Sequence, residues 1–449
     1  MTEGAANNNT VESGSRLRST FRALRHRNFQ LFFAGQFVSL TGTWMQSVAQ
    51  SWLVYRLTGS VILLGLIGFF NQIPVFLLAP VGGAFADRHN RRTILIITQS
   101  CAMIFAAALA ALTLTGNIQV WHLFVLASCF GIANAFDIPT RQAFAVDMVG
   151  REDLINAIAL NSSMFNGARI VGPAIAGILV AAVGEGWCFL GNAASYIAVI
   201  GGLLLMKISP VVRPRAGSTI SNIAEGFGFV AKTKPIRALL LLLGLVSLMG
   251  MPYAVLMPIF ADKILGGGSA TLGLLMGASG IGALIAALSL ASRKHVFGLG
   301  RWVAFASAGL GASLILFSFS SSFWLSAAVL VLIGFSMMTQ MSSSNTLVQA
   351  MAPDHLRGRV MSVYSMMFMG MAPFGALLAG TLAGYLGAPY TVALGGSACI
   401  AGSLIFSLRL PQLTSEGREM IVSLQMTGGV PSSKASFQLP PEPDNPRSG

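Results

Sequence analysis

The feature that most constrains this chain is a series of twelve long apolar runs. A helix needs about 20 apolar residues to cross the hydrocarbon core of a bilayer, and it satisfies its own backbone hydrogen bonds there. Only 10% of the 449 residues are charged, too few to cover the surface of a soluble protein of this size. The sequence therefore predicts an all-α membrane protein with twelve transmembrane helices, at 29–57, 61–86, 94–115, 120–143, 155–183, 187–206, 238–260, 271–291, 302–319, 323–349, 360–386 and 388–408.

Lysines and arginines lie in short clusters between these runs, and the net charge is +13. Such clusters are typical of cytoplasmic loops, whereas a nucleic-acid site needs a contiguous basic face. Placing the N-terminus in the cytoplasm puts 25 of the 28 basic residues on the cytoplasmic side; the exceptions are Arg56, Lys263 and Arg169, the last within a span. We therefore expect both termini in the cytoplasm, with the lipid bilayer and not nucleic acid as partner.

One long internal loop divides the twelve runs six and six. It contains a short amphipathic stretch, with Ile223, Phe227 and Val230, which predicts a segment at the membrane surface. Both ends of the chain are rich in Asn, Ser, Pro and Gly, and we expect them to be disordered. The predicted regions are a cytoplasmic N-terminal tail (1–28), an N-terminal six-helix bundle (29–208), a cytoplasmic linker (209–236), a C-terminal six-helix bundle (237–410) and a cytoplasmic C-terminal tail (411–449).

The fifth and eleventh runs share a glycine pattern at an offset of 203 residues, which predicts two parallel six-helix repeats. Chance is the alternative explanation, because 50 of the 449 residues are glycine. The glycines are interpreted, with Pro173, as points of close helix contact and bending. The two matching sets are Gly167, Gly172, Gly177 and Gly184 in the first half and Gly370, Gly375, Gly380 and Gly387 in the second.

Residues 83–92 read GAFADRHNRR. This resembles the major facilitator signature GxxxDRxGRR, with Asn90 in place of its second glycine; asparagine tolerates the left-handed turn expected there. Residues 27–29 (RNF), 136–144 (FDIPTRQAF) and 166–177 (NGARIVGPAIAG) resemble the transmembrane secretion effector branch, which includes enterobactin-exporter-like proteins. The resemblance implies the major facilitator fold in a bacterial inner membrane. It also implies secondary active export, driven by proton exchange, of a drug, siderophore or secondary metabolite.

The signature also predicts a cytoplasmic gate. By the repeat, Asp87 should lie next to the start of the eleventh span, near Gly358 and Arg359, and hold the inside closed in the outward-open state. The alternative is that the cluster serves only as a topology signal. The predicted gating residues are Gly83, Asp87, Arg88, Arg91, Arg92 and Asp147.

Polar residues recur at helical spacing inside several spans, which favours a cavity lining over simple interhelical hydrogen bonds. A lone charge at such depth costs about 2.5–3.5 kcal/mol, so Asp137 and Arg169 need partners or a water-filled cavity. Asp137 can pair with Arg141 or with Arg169. A structural ion pair and a coupling site are both open; we favour a titrating Asp137, with Arg169 releasing it or contacting an anionic substrate group. The polar candidates for the cavity are Gln36, Gln46, Gln50, Asp137, Arg141, Asn166, Arg169 and Gln340.

Methionines are concentrated in the second half, with thirteen in 237–410 against five in 29–208. Their flexible, polarisable side chains suit a soft cavity wall, although ordinary core filling is the alternative. Met338, Met341 and Met367 are the candidates for contact with an amphipathic small molecule.

Other function classes lack their motifs. The dipeptide Gly-Lys of a phosphate-binding loop is absent, and the histidines and cysteines are isolated, so we expect no enzyme, cofactor or metal. The remaining alternatives are an uptake permease of the same fold and a non-transporting receptor or scaffold.

Overall fold

The computed structural model describes residues 22–150, 152–207, 219–291 and 298–426. Within these ranges all regular secondary structure is helical. We number the twelve spanning helices α1 to α12 and name the helix Thr219–Lys232 the linker helix. The spans are α1 (Arg27–Thr58), α2 (Val61–Arg88), α3 (Arg91–Leu114), α4 (Val120–Val149), α5 (Leu154–Val183), α6 (Glu185–Leu205), α7 (Lys234–Ile264), α8 (Gly268–Ala291), α9 (Leu299–Ser318), α10 (Phe323–Met351), α11 (Asp354–Leu386) and α12 (Ala388–Met426).

Eleven of these helices are apolar enough, by length and hydropathy alone, to be recognised as membrane spans in the described part of the chain; α1 is the exception. Its 32 residues include Gln36, Gln46 and Gln50, which lower its hydropathy. It nevertheless packs against α5 and α6 like the other spans, so the structure has twelve plausible spans.

The two halves of the bundle repeat the same helix pairings. In the first half α2 packs on α4, and α3 packs on α4 and α6. Six helices later, α8 packs on α10, and α9 packs on α10 and α12. The predicted fold of two parallel six-helix repeats is therefore confirmed.

The halves meet along α2 against α11 and α5 against α8. Both contacts use glycines, since a Cβ on Gly380 would lie only 2.7 Å from the Cα of Gly65, and one on Gly273 only 2.7 Å from the Cα of Gly177. Such small residues let helix backbones approach closely. Gly177 and Gly380 are separated by the 203-residue offset, and they occupy equivalent places between the halves.

Of the other predicted glycines, Gly167, Gly172 and Gly375 pack within one half, whereas Gly370 on α11 lies between the halves, against α2. A Cβ on Gly172 would lie 2.6 Å from the Cβ of Trp44 on α1, and one on Gly375 2.6 Å from a backbone oxygen of α7. Gly167 faces only a ring carbon of Phe37, at 3.4 Å, and Gly370 faces the ring of Phe76. Pro173 lies inside α5, where its carbonyl oxygen contacts Gly273.

Because each span reverses the chain direction, Arg22, the linker helix and Met426 all lie at one end of the bundle, which we call the linker end. The opposite end is the far end. The contacts of Gly65 on α2 and of Gly177 on α5 both lie in the half of the helix nearer the far end. The described contacts between the halves are therefore concentrated toward the far end.

Helix α12 continues past residue 410 to Met426, so the expectation of a disordered tail is wrong for 411–426. Leu410, Leu413, Met420 and Ile421 pack against the core at helical spacing, and this burial offsets the backbone hydrogen bond that Pro411 cannot donate. The remainder of the predicted tail, 427–449, lies outside the described residues.

The N-terminal tail and the linker are also partly ordered. Arg22–Arg25 forms a short 3₁₀ helix with Ala23 fully buried, while 1–21 and 208–218 lie outside the described residues. The predicted amphipathic stretch forms the linker helix, in which Val230 is buried and Phe227 is exposed. Helix α7 begins at Lys234, within the region predicted as linker.

Two spans of the second half are irregular. Helix α7 contains π-helical turns at Val246–Gly250 and Phe260–Ile264, and α11 is interrupted between Met369 and Ala372. Irregular backbone of this kind is typical of functional sites and of bending points in membrane helices.

Candidate transport and gating sites

Asp137 lies on α4, where it is buried against α3, and both of its carboxylate oxygens have partners. One carboxylate oxygen accepts hydrogen bonds from Thr98 Oγ1 at 3.1 Å and from Gln99 Nε2 at 2.7 Å. The other lies 3.1 Å from Arg141 Nη2, one turn along the same helix. Of the two partners that the sequence allowed for Asp137, the structure selects Arg141.

Arg169 lies apart from this network, on α5. Its guanidinium carbon is 5.8 Å from the ring centroid of Trp44 on α1, a cation–π contact. Its backbone oxygen faces Gly280 on α8, and Tyr253 on α7 is an electrostatic neighbour. Across the four described ranges, no carboxylate and no hydrogen-bond acceptor pairs with the Arg169 guanidinium. Its positive charge therefore lies at the junction of the halves, and among the described residues only aromatic side chains compensate it.

The glutamines of α1 are buried in this conformation. Gln46 Oε1 accepts a hydrogen bond from Asn192 Nδ2 of α6 at 2.7 Å, inside the first half. In this conformation Gln46 is therefore paired with α6, and its place in a cavity lining stays a prediction. Gln36 and Gln50 are also buried, and Asn166 donates from Nδ2 to the Ser162 carbonyl of its own helix at 2.9 Å.

The second-half candidates lie on α10 and α11. Gln340 is 1% exposed, and within the described chain its Nε2 has no hydrogen-bond partner. Met338 and Met341 are half-buried. Met367, also half-buried, packs on α7, since its sulfur would lie 3.4 Å from a Cβ on Gly244. Gln340 is thus a buried polar group that still needs a partner, whereas Met367 contributes to packing between α7 and α11.

Three of the predicted gating residues, Asp87, Arg91 and Asp147, form one ion-pair network at the linker end of the first half. Arg91 lies 3.3 Å from Asp87 and 3.3 Å from Asp147, and it also donates to the Ala143 carbonyl at 2.7 Å. Arg92 donates to the carbonyls of Leu203 and Leu204, at 2.7 and 2.8 Å, at the end of α6. The network ties α2, α3, α4 and α6 together.

Asn90 differs from expectation, and the remaining signature residues, Arg88 and Gly83, lie outside this network. Asn90 has φ −67° and ψ 111°, so the predicted left-handed turn is wrong. Its side chain instead caps α3 by accepting from the Thr93 amide at 3.3 Å. Arg88 is exposed, and a Cβ on Gly83 would meet only Pro139, at 3.9 Å.

The start of α11 contacts the linker helix. Arg359 forms an ion pair with Glu225, and a Cβ on Gly226 would lie 2.7 Å from the Arg359 carbonyl oxygen. A Cβ on Gly358 would have no neighbour within 4 Å. The contact expected between Asp87 and the start of α11 is therefore absent from the described residues in this conformation, and Arg91 takes its place as the partner of Asp87.

Two polar links at the far end were missed by the sequence reasoning. Tyr55 on α1 donates from its hydroxyl to Asp262 Oδ2 on α7 at 2.7 Å, joining the two halves. Arg56 donates to both carboxylate oxygens of Glu185 at 2.7 and 3.2 Å, joining α1 to α6. The only available signal was the presence of these charged residues at the ends of apolar runs.

Comparison with known proteins agrees with this architecture. The family model described as transmembrane secretion effector matches residues 18–430. Relatives include the staphyloferrin A transporter of Staphylococcus aureus, 26% identical over 84% of this chain and 94% of its own. The multidrug efflux pump Tap of Mycolicibacterium fortuitum is 26% identical over 77% and 88%. The enterobactin exporter EntS of Escherichia coli is 25% identical over 86% and 91%.

Solved structures show the same fold at low sequence identity. The nucleoside transporter NupG superposes with a TM-score of 0.68 at 13% identity, covering 86% of this chain and 98% of its own. A bacterial homologue of the iron transporter ferroportin has a TM-score of 0.64 at 17% identity, covering 87% and 99%. With the family model matching most of its length, the chain belongs to the transmembrane secretion effector family of major facilitator transporters and is a multi-pass membrane transporter rather than an enzyme.

Proposed function

We propose that this transporter is a secondary active exporter of the bacterial inner membrane, which moves a small amphipathic molecule outward by alternating access in exchange for protons. The observation that carries the proposal is the uneven contact between the halves. They are packed through glycines toward the far end, whereas Asp87 and the start of α11 are not in contact at the linker end. A protein built this way can open its central path at one end at a time.

The orientation follows from charge. Placing the linker end in the cytoplasm puts 25 of the 28 basic residues on that side, as the positive-inside rule requires. In that orientation the far-end contacts lie on the outer side of the membrane, and we assign the described conformation to the inward-open state. The outward-open state would then bring Asp87 to the N-terminus of α11, where a carboxylate gains about 0.3–2 kcal/mol.

The substrate class follows from the groups between the halves. Among the described residues, Arg169 has only the aromatic side chains of Trp44 and Tyr253 to compensate its charge, and an unpaired charge in a membrane is costly by about 2.5–3.5 kcal/mol. A substrate carrying an anionic or aromatic group would supply the missing partner. The half-buried Met338 and Met341 offer a soft apolar surface to the rest of such a molecule.

Proton coupling is assigned to Asp137. A carboxylate held by Arg141, Thr98 and Gln99 in one conformation can exchange its proton when those partners separate in another. The export direction is supported by two of the relatives, since one is named an enterobactin exporter and another a multidrug efflux pump.

The experiment uses the purified protein in liposomes with an imposed pH gradient, together with a deletion strain. Export predicts that the deletion strain accumulates an amphipathic dye such as ethidium, that a protonophore abolishes the difference, and that liposomes move the dye only with the gradient. Lower accumulation in the deletion strain would favour an uptake permease. A protein that moves no compound from a broad screen yet binds a protein partner would favour a receptor.

A further inference from the structure

The second half contains a cavity at the linker end, away from the junction between the halves. Its volume is about 540 Å³, and it lies between α7, α9, α10 and α12. The walls are mainly apolar, formed by Leu239, Leu347, Met351, Phe406, Leu410, Leu413 and Ile421. The described residues that line it include two arginines, Arg301 and Arg418, and no acid.

Small residues and a proline leave this space open. Gly300 and Gly417 lie in its walls, where a Cβ would approach Leu410 at 3.1 Å and the Met351 sulfur at 3.1 Å respectively. Pro411 has no backbone N–H and cannot donate to the carbonyl oxygen of Ser407, one turn earlier. The carbonyl of Ser407, a lining residue, therefore lacks its usual hydrogen bond within the helix.

Apolar packing and an ion pair hold the wall formed by α12 in place. Its apolar residues beyond 410 pack against the core, and Glu416 lies 3.6 Å from Lys234 at the start of α7. The helical extension 411–426 therefore serves as a wall of the cavity. This explains in physical terms why a sequence stretch with only moderate hydrophobicity is ordered here.

The position of the two arginines identifies the ligand chemistry. Arg301 is the third residue of α9 and is exposed, and Arg418 is exposed on the extension of α12. Both line the cavity at the linker end of the second half, so the cavity has an apolar interior and a cationic rim. Guanidinium groups bind phosphate with paired hydrogen bonds, and basic pockets between spans bind anionic lipid head groups.

We propose that this cavity is a binding site for an anionic glycerophospholipid, with the head-group phosphate on Arg301 and Arg418 and an acyl chain along the apolar wall. A phosphate attached to an acyl chain uses both parts of the site, whereas a free phosphate would use only the rim. The site is independent of the transport cycle proposed above and can be tested without a transport substrate.

The test is native mass spectrometry of the full chain released from vesicles of phosphatidylglycerol and phosphatidylcholine in equal amounts. The wild-type protein should retain phosphatidylglycerol in preference to phosphatidylcholine. Arg301→Gln with Arg418→Gln should lower that preference by about fivefold or more, since each basic residue near a lipid surface contributes about 1 kcal/mol. Arg409→Gln, an exposed arginine on α12 outside the cavity lining, is the matched control and should retain the wild-type preference.

A second variant tests the apolar part of the site. Thr414→Trp places a large side chain at the cavity lining while leaving both arginines in place, and it should reduce lipid retention to the level of the double arginine variant. Equal retention of both lipids by the wild-type protein would overturn the proposal. So would stabilisation by inorganic phosphate alone that matches the stabilisation by phosphatidylglycerol in a thermal unfolding assay.

Discussion

At the scale of single residues, Asp137 and Arg169 show how the fold treats two charges in different ways. Asp137 receives two hydrogen bonds and an ion pair, so its burial is compensated within the first half. Among the described residues, Arg169 has only aromatic neighbours to compensate its charge, the Trp44 ring and Tyr253. Under the proposed function, the first carries the proton coupling and the second meets the substrate.

Asp137→Asn should abolish transport driven by a pH gradient while leaving exchange of substrate down its own gradient. The amide keeps the shape of the carboxylate but carries no charge to titrate. Dye transport in liposomes with and without an imposed pH gradient measures both activities. Thr98→Val is the control, because it removes one hydrogen bond and leaves the carboxylate. Unchanged proton-driven export by Asp137→Asn would identify the network as a structural ion pair.

Asp87→Asn should insert normally and lose transport. In the described conformation Asp87 is half-exposed and pairs only weakly with Arg91, so its removal should cost little stability. In the closed-inside state it would face the α11 N-terminus, and losing that contact shifts the equilibrium by up to about thirtyfold. Asp354→Asn, at the exposed start of α11, is the matched control. Normal export by Asp87→Asn would contradict the gate.

At the scale of helices, the second half combines irregular α7 and α11 with methionines on α10 and α11. Turns of π-helix and the interruption near Met369 leave backbone groups that can change partners as the helices bend. The linker helix adds a further constraint, because it packs on the start of α11 through Gly226. The linker helix thus contacts α11, one of the two irregular spans, at its linker end.

Substituting Met338, Met341 and Met367 by Ala should change selectivity among amphipathic compounds more than it lowers the folded yield. Met338 and Met341 are expected to carry the effect, because Met367 also packs against α7. Transport of a panel of dyes, normalised to the amount of folded protein, measures it. Met361→Ala provides a control on α11 at a residue that packs against the core. A uniform loss of expression across the three would assign them to the core.

At the scale of the whole molecule, the two halves are joined toward the far end by glycine contacts and by one hydrogen bond between Tyr55 and Asp262. Opening that end requires the hydrogen bond to break and the paired helices to separate. The ion-pair network at the linker end stays within the first half. Among the described contacts, those toward the far end therefore join the halves, and this ion-pair network does not.

Tyr55→Phe should shift the population toward opening at the far end. The lost hydrogen bond contributes about 1 kcal/mol, which corresponds to about a fivefold change in the equilibrium. Spin labels at Asn117→Cys and Ser321→Cys, in the far-end loops of the two halves, would report a larger share of long distances in electron paramagnetic resonance. Tyr390→Phe, an exposed tyrosine at the same end, should leave the distances unchanged. An unchanged distribution in Tyr55→Phe would show that the glycine contacts alone hold this end closed.

The sequence by itself determined the helical class, the positions of the spans and the division into repeats. Each of these depends on properties that are local along the chain, namely the length of apolar runs and the offset between glycines such as Gly177 and Gly380. Although α1 contains several polar residues, the sequence still predicted it as a span, because its apolar residues extend over the length of a membrane crossing. Such local properties do not identify which residue on another helix a given side chain contacts.

Only the tertiary structure decided those partners. Helical spacing placed Gln46 on a polar face, but whether that face met the cavity or Asn192 depended on how α1 is rotated against α6. Tyr55 and Asp262 are 207 residues apart, and nothing local connects them. The order of 411–426 likewise depends on a surface supplied by α7, α9 and α10. Hydrogen bonds and ion pairs require atoms within a few ångströms, and helical periodicity specifies a face of a helix without specifying what that face meets.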